Sequence, residues 1–267
     1  MKAFKTIEIS NPRFENDFLR YITVKSENLK GRGDICVFSP PGNDELKSCP
    51  LVILLHGVYG SSWSWALSGG VHLSTLDLIR KNLIAPVTIA MPSDGLWGDG
   101  SGYLPHNNFN FEKWIAEDVP AAIKECMPEV DDESKIFIGG LSMGGFGAFK
   151  IGVKYHDVFT AVSCHSSITN ISQMKMFAEE SIDNFSQADK TEEDVMETIL
   201  KYKEHLPALN FDCGASDPLL ENNRLLHQQL LDNNIRHDYE EYSGGHDWAY
   251  WQEHAIDSML FFSRFFK

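Results

Sequence analysis

The chain has 267 residues, of which 43% are hydrophobic and 23% charged, as in an ordinary globular protein of one or two domains. Its formal net charge of -15 disfavours nucleic acid and anionic membrane surfaces as partners, because both would repel it. No apolar run approaches the ~20 residues of a membrane span and the first residues show no secretion signal, so we expect a cytoplasmic protein.

The N-terminal part of the chain contains short extended segments. Residues 3–10, 18–25 and 33–39 are predicted strands, separated by polar turns that contain proline and glycine. Because strands at such short spacing favour antiparallel pairing, we expect them to form one edge of a sheet. Residues 51–55 are continuously apolar, which indicates a strand covered on both faces, and the glycine-containing turn 56–60 follows at its carboxyl end.

Helical and extended patterns alternate through the rest of the chain. Helical spacing is found over 71–82, 112–126, 221–232 and 248–266, with Pro120 as a boundary or kink. Extended segments lie over 87–91, 136–138, 159–164, 208–213 and 237–242. Residues 170–207 are polar and mostly helical in spacing, and we interpret them as a small helical excursion that could form a lid. The alternation predicts a single α/β domain over 1–267, with a mostly parallel central sheet and helices around it.

A glycine-rich turn lies between the strand at 136–138 and a helix that begins near Met143. It contains Gly140-Leu141-Ser142-Met143-Gly144, a G-x-S-x-G pattern. Between a strand and a helix this pattern is typical of a nucleophile elbow, a sharp turn that exposes a serine hydroxyl above the sheet. The helix N-terminus adds N–H groups and a partial positive charge beside that hydroxyl. A chance glycine-rich loop is the alternative, but the flanking elements favour Ser142 as a nucleophile.

A serine nucleophile needs a base within hydrogen-bond reach. In proteins with this elbow the acid and then the histidine follow the serine along the chain, each on a loop after a strand. His246 fits this order, because it lies in a glycine-containing loop between a predicted strand and a predicted helix. His227 lies within a predicted helix and His237 within a predicted strand, which favours structural roles. His254 lies eight residues after His246, but no carboxylate or cysteine pattern supports a metal site there.

The acid of such a triad is expected on a loop beyond a strand. Asp217 lies just after the strand at 208–213, where a carboxylate can reach a histidine Nδ1–H and stabilise the imidazolium. Asp212, at the end of the strand, is the second candidate, whereas Asp247 is adjacent to the histidine and is expected to point elsewhere. A purely structural alternative is that Asp217 caps the helix that begins near Leu219.

Four motifs together resemble a known family. They are LLHG at 54–57, GGLSMGG at 139–145, CGxxD at 213–217 and GGHDWxxW at 244–251. In this order they resemble the putative-esterase branch of the α/β-hydrolases, over roughly residues 50–265. That branch includes S-formylglutathione hydrolase (esterase D), tributyrin esterases, and the acetyl-xylan and feruloyl esterases of carbohydrate esterase family 1. The resemblance implies an α/β-hydrolase fold and a serine carboxylesterase without cofactor or metal, with Ser142, Asp217 and His246 as its triad.

An ester hydrolase also needs N–H donors for the developing oxyanion and a substrate pocket. Met143, directly after the serine, supplies one donor by its position, and the resemblance implies a second from Val58, with Tyr59 as the alternate. Pocket residues are expected from 58–70, 94–107 and 164–207. Aromatic residues in such loops can stack on an aryl acyl group or a sugar, and we predict this role for Trp63 and Trp97, with ordinary packing as the alternative.

Several functions are compatible with the same residues. The preferred hypothesis is a serine carboxylesterase for small acyl esters: acetyl, short-chain or feruloyl, on a carbohydrate or another alcohol. A thioesterase such as S-formylglutathione hydrolase, or an acyltransferase, would use an identical triad, and a non-catalytic binding protein is the alternative from another class. Glycosidase chemistry through Asp94 and Asp99 has only their spacing in its favour. The partner is expected to be a small-molecule ester, and a homo-oligomer stays open.

The cysteines are scattered along the chain. The five cysteines form no C-x-x-C pattern, so neither a zinc site nor a redox motif is indicated. Nucleotide binding by the glycines at 139–147 would require a G-x-G-x-x-G or a P-loop lysine, and neither is present. Buried thiols in a reducing compartment are the expected arrangement.

Overall fold

The computed structural model describes residues 4–42 and 46–266. Nine strands form one sheet in the order β1-β2-β3-β5-β4-β8-β9-β10-β11, and β6 and β7 form a separate hairpin. Their bounds are β1 Ile7–Ile9, β2 Leu19–Ser26, β3 Gly31–Phe38, β4 Leu51–Leu55, β5 Thr88–Pro92, β6 Pro105–His106, β7 Phe109–Asn110, β8 Ile136–Leu141, β9 Phe159–His165, β10 Ala208–Gly214 and β11 Asp238–Tyr242.

The sheet is antiparallel at its N-terminal edge and parallel elsewhere. Strands β1, β2 and β3 pair antiparallel with one another, and β3 pairs antiparallel with β5. All pairs from β5 through β4, β8, β9 and β10 to β11 are parallel. The predicted antiparallel edge and mostly parallel sheet are therefore confirmed. The predicted first strand, 3–10, begins at a residue outside the described part and is reduced to β1.

Helices cover both faces of the sheet. The helices are α1 Ser64–Leu67, α2 Val71–Arg80, α3 Phe111–Lys113, α4 Val119–Cys126, α5 Met143–Lys154, α6 Val195–Lys201, α7 Leu220–Asp232 and α8 Trp248–Ser263. Alternate residues of β4 point to opposite faces, so that Ile53 packs in the core with α4, α5 and α7, and Val52 packs in the core with α2 and α8. In the described ranges, no helix combines the length and apolar character needed to cross a membrane.

The predicted helix over 112–126 is interrupted. It consists of α3, a π-helical turn at Trp114–Asp118, and α4. Pro120 lies in the first turn of α4, where its missing N–H breaks the regular hydrogen-bond ladder. The π-helical turn also directs the Trp114 indole, whose Nε1–H donates to the Ser93 carbonyl at 2.7 Å. Two further elements, α1 and the β6–β7 hairpin, are too short to give a periodic pattern in the sequence.

The excursion at 170–207 is built from short helical turns rather than long helices. It contains 3-10 turns at Ile171–Met176, Ile182–Phe185 and Lys190–Glu193, followed by α6. The polar residues that precede these turns, Asn170, Ser181, Asp189 and Asp194, accept hydrogen bonds from first-turn N–H groups. This capping explains the polar composition of the segment, while its apolar residues join the core.

Candidate active site

The candidate site begins at the turn between β8 and α5. Ser142 is the one residue between them and has φ 53° and ψ -121°, a conformation that residues with a Cβ rarely adopt. Its N–H donates to the His165 carbonyl at 3.0 Å, and its carbonyl accepts from the N–H of Gly145 at 3.0 Å. A Cβ at Gly140 would collide with the Gly144 backbone, and a Cβ at Gly144 with the end of β4. The close passage of strand and helix therefore requires these glycines.

Ser142, His246 and Asp217 form a continuous hydrogen-bonded chain. The distance from His246 Nε2 to Ser142 Oγ is 2.9 Å, and from His246 Nδ1 to Asp217 Oδ2 it is also 2.9 Å. A carboxylate only accepts, so Nδ1 carries a proton and the Nε2 of a neutral ring accepts from the Ser142 hydroxyl. Asp217 is buried, and its other oxygen accepts from the Leu219 N–H at 2.8 Å. One carboxylate thus contacts the histidine and also caps the turn before α7.

The second acid candidate, Asp212, lies in a different cluster. It is buried and accepts from His165 Nδ1 at 2.7 Å and from the Tyr250 hydroxyl at 2.6 Å. Burial and the Asp212 carboxylate raise the pKa of Tyr250, so that this hydroxyl keeps its proton and donates. His165 Nε2 in turn lies 2.7 Å from Ser258 Oγ, which gives a second Ser-His-Asp arrangement that is buried throughout.

Other titratable residues near the motifs have structural partners. Asp247 accepts from the Tyr250 N–H at 3.0 Å as the cap of α8, whereas His246 Nδ1 contacts Asp217. His227 and His237 contact each other, with 2.7 Å between Nδ1 and Nε2. His254 contacts Asp257 and stacks on Tyr242. Within residues 4–42 and 46–266 no group of three or more histidine, cysteine or acidic side chains is arranged to hold a metal ion.

The turn after β4 faces the same cavity as Ser142. His56 has two partners here: its Nδ1 contacts the Gly57 carbonyl at 2.7 Å, and its Nε2 accepts from the Asp94 N–H at 3.0 Å. The Tyr59 N–H donates to the Asp99 carbonyl at 2.9 Å, so it is committed elsewhere. Of the two residues considered for the second oxyanion donor, this leaves Val58. Met143 is the first residue of α5, where a helix leaves its N–H groups without helical partners.

A cavity of about 300 Å³ opens above Ser142. Its walls are mainly aromatic and aliphatic, and its lining includes Val58, Trp63, Leu141, Phe177, Trp248 and Trp251. Trp63 is among the lining residues, and its role as a substrate residue stays a prediction. Trp97, the other predicted substrate residue, is not among the residues that line the cavity. Its ring instead packs against His106 and Phe185, at centroid distances of 4.6 Å and 5.8 Å, because the β6–β7 hairpin and the excursion meet there.

Phe177 is a cavity residue that the sequence did not reveal. Its ring stacks on the His246 imidazole with centroids 4.8 Å apart and planes inclined by 16°. Trp251 meets the same imidazole edge-on at 5.0 Å. Trp251 belongs to the GGHDWxxW motif and therefore carried a sequence signal. Phe177 lies in the excursion, about 70 residues from His246 in the chain, and has no motif of its own.

A larger cavity, of about 620 Å³, lies at the opposite end of the sheet. It is lined by the first residues of β10 and β11 and by the end of α8, whereas Ser142 lies at the carboxyl ends of the strands. The hydrogen-bonded serine, histidine and aspartate therefore mark the smaller cavity as the candidate active site.

Comparison with known proteins places this fold among the α/β-hydrolases. A solved ferulic acid esterase is 23% identical, with a TM-score of 0.79, and the match covers 98% of this chain and 99% of that one. S-formylglutathione hydrolase from Staphylococcus aureus is 19% identical, with a TM-score of 0.77 and coverage of 95% and 99%. An acetyl esterase from Caldicellulosiruptor saccharolyticus is 26% identical over 231 residues, which cover 79% of this chain and 82% of that protein.

Fold and comparisons together define a carboxylic ester hydrolase with the α/β-hydrolase fold. Residues 26–262 match the model of the family described as Putative esterase. This match spans most of the chain, and the chain belongs to that family. The family resemblance inferred from the four sequence motifs is thereby confirmed.

Proposed function

We propose that this protein is a serine carboxylesterase that hydrolyses small acyl esters through an acyl-enzyme on Ser142. The observation that carries the proposal is the chain of two 2.9 Å hydrogen bonds from Ser142 through His246 to Asp217, at the floor of the cavity. A nucleophile, a base and an orienting acid in this geometry are the arrangement that acyl transfer requires.

Each residue then has a defined chemical step. Ser142 Oγ attacks the ester carbonyl while His246 Nε2 takes its proton, and Asp217 stabilises the imidazolium. The N–H groups of Met143 and Val58 bind the oxyanion. His246 gives the proton to the departing alcohol oxygen, and the acyl group remains on Ser142. His246 then takes a proton from a water molecule, whose oxygen attacks the acyl carbon. The bond to Ser142 Oγ breaks, the acid leaves, and His246 returns the proton to Oγ.

The cavity favours a small, uncharged acyl group. Its volume of about 300 Å³ is at the lower end of the range for ligand pockets. Among the described residues that line it there is no lysine, arginine, aspartate or glutamate. Acetyl, short-chain or feruloyl esters fit this description, and the similarity to an acetyl esterase and a ferulic acid esterase favours the same groups. A carbohydrate alcohol and a cytoplasmic location remain predictions, and a homo-oligomer stays open.

A substrate panel tests this proposal. We would measure hydrolysis of p-nitrophenyl acetate and butyrate, methyl ferulate, an acetylated xylo-oligosaccharide and S-formylglutathione by the wild type, Ser142→Ala and Ser263→Ala. Ser263 lies at the end of α8, remote from the cavity, and serves as the matched control. We expect Ser142→Ala to lose turnover by about 10³-fold or more and Ser263→Ala to keep it. Equal rates for Ser142→Ala and the wild type would contradict the proposal.

The same panel separates the second candidate function. A thioesterase has the same triad, and the similarity to S-formylglutathione hydrolase favours testing it. Turnover of S-formylglutathione well above that of every oxygen ester, and dependent on Ser142, would assign the thioester as substrate instead.

A further inference from the structure

Three segments of the chain meet beside the cavity. The turn 56–60 carries Val58, the loop 93–104 crosses next to it, and the excursion carries Phe177. Their meeting point is Asp99, a half-buried residue of the loop. Neither the proposed triad nor the proposed oxyanion donors include this residue.

Asp99 bonds to both neighbouring segments. Its carbonyl accepts from the Tyr59 N–H at 2.9 Å, and its Oδ2 accepts from the Glu179 N–H at 2.6 Å. Its own N–H donates to Glu180 Oε1 at 2.9 Å. The Asp99 carboxylate also hydrogen-bonds the exposed Tyr59 phenol and raises its pKa. One residue therefore ties the turn after β4 to the excursion.

Both ends of this link lie next to the proposed chemistry. On one side, the Tyr59 N–H belongs to the peptide unit that follows Val58, so fixing it limits how the Val58 residue can rotate. On the other side, Glu179 is two residues after Phe177, whose ring stacks on His246. The Gly98 backbone lies directly against the Glu180 carboxylate, where a Cβ would not fit, which keeps the loop and the excursion in close contact.

We infer that Asp99 is a positioning residue for the proposed ester hydrolysis. Its side chain holds the loop against the excursion and so fixes the Phe177 ring beside His246. The loop held in this way fixes, through the Asp99 carbonyl, the turn that carries Val58. This inference rests on the proposed function. Asp99 does not touch the substrate in this account. Its effect is on the transition state, because an oxyanion donor displaced by about 1 Å costs up to 10²-fold in rate.

The experiment compares Asp99→Ala, Asp99→Asn and Glu180→Ala by steady-state kinetics with p-nitrophenyl acetate. Asp99→Ala removes the acceptor for the Glu179 N–H, and we expect kcat and kcat/KM to fall together by about 10- to 100-fold with little change in KM. Asp99→Asn keeps an acceptor oxygen and should recover most of this loss. Glu180→Ala breaks the other bond of the link and should act in the same direction.

Controls keep failure of this inference distinct from failure of the proposed function. Asp183→Ala removes an exposed acid of the same excursion and should match the wild type, which tests charge loss alone. If Ser142→Ala is inactive while Asp99→Ala keeps the wild-type kcat, Asp99 is not a positioning residue. A rise in KM alone, or an Asp99→Asn variant as slow as Asp99→Ala, would also overturn the inference. If Ser142→Ala is active, the proposed function itself fails.

If Asp99→Ala does not fold, the other two variants test the inference. A wild-type kcat in Glu180→Ala would overturn it. A kcat in Asp99→Asn lower than that of Glu180→Ala would also overturn it.

Discussion

At the scale of residues, two aspartates five positions apart have separate environments. Asp212 lies within β10 and accepts hydrogen bonds from His165 and Tyr250. Asp217 lies beyond the strand, where it reaches His246. Their position relative to the end of β10 therefore decides which histidine each one meets.

Substitution by asparagine should separate these roles. We expect Asp217→Asn to lower kcat by up to about 10⁴-fold, because an amide cannot stabilise the imidazolium. Asp212→Asn should instead cost about 1–3 kcal/mol of unfolding free energy, since a buried donor loses its acceptor, and should retain more activity. Urea denaturation and steady-state kinetics on both variants provide the test. The reverse pattern would assign the proposed acid to Asp212.

The candidate residues that lie in sequence motifs could be predicted from the sequence. The structure brings Ser142, Asp217 and His246 into hydrogen-bond contact, as their order along the chain predicted, while their catalytic roles stay proposals. The sequence did not reveal the stacking of Phe177 on His246 or the packing of Trp97 against Phe185. Both depend on how the excursion folds over the loops, and contacts between segments about 70 to 90 residues apart leave no local pattern in the sequence.

At the scale of elements, the excursion is anchored to the helix that follows the nucleophile. Lys150, on α5, is almost fully buried and lies 3.0 Å from Glu192 Oε2, and Lys154 lies 3.2 Å from the other oxygen. Burial alone would raise the pKa of Glu192, but the attraction of Lys150 and Lys154 outweighs it, and the pKa lies below its usual value. The ion pairs of Lys150 and Lys154 with Glu192 therefore link the excursion to α5.

This cluster predicts an acid-dependent part of the stability. A carboxyl whose pKa is lower when folded stabilises the fold above its unfolded pKa, and this contribution disappears as the pH falls through the folded value. Glu192→Gln leaves Lys150 buried beside a neutral amide and should cost about 3–5 kcal/mol near pH 7. The loss should shrink on acidification below the ordinary glutamate range. Urea denaturation across pH measures it, with the exposed Glu197→Gln as control; equal stability of both variants would contradict this account.

Helices and strands with long, regular patterns could be predicted from the sequence, and short or irregular ones could not. The strand predicted over 51–55 coincides with β4, and the helix predicted over 71–82 differs from α2 only at its end, because buried runs and regular spacing are strong signals. The helix predicted over 112–126 is broken, since periodicity does not reveal a π-helical turn before Pro120. The four-residue α1 was not predicted, because it is too short to carry a period.

At the scale of the whole molecule, the parallel part of the sheet collects the candidate site at one edge. Ser142 follows β8, Asp217 follows β10 and His246 follows β11, and Val58 follows β4, so all four lie beyond carboxyl ends of parallel strands. The alternation of strands and helices predicted this parallel arrangement. It could not predict the excursion's contacts with that edge. The single-domain organisation over 1–267 stays a prediction.

The most direct test of the account is covalent labelling with an alkyl fluorophosphonate, followed by mass spectrometry of the digested protein. We expect one phosphonyl group per chain, located on Ser142, with loss of ester hydrolysis in proportion to labelling. Ser142→Ala should remain unlabelled. Labelling of another residue, or full hydrolysis by a protein labelled completely at Ser142, would contradict the claim that Ser142 is the nucleophile.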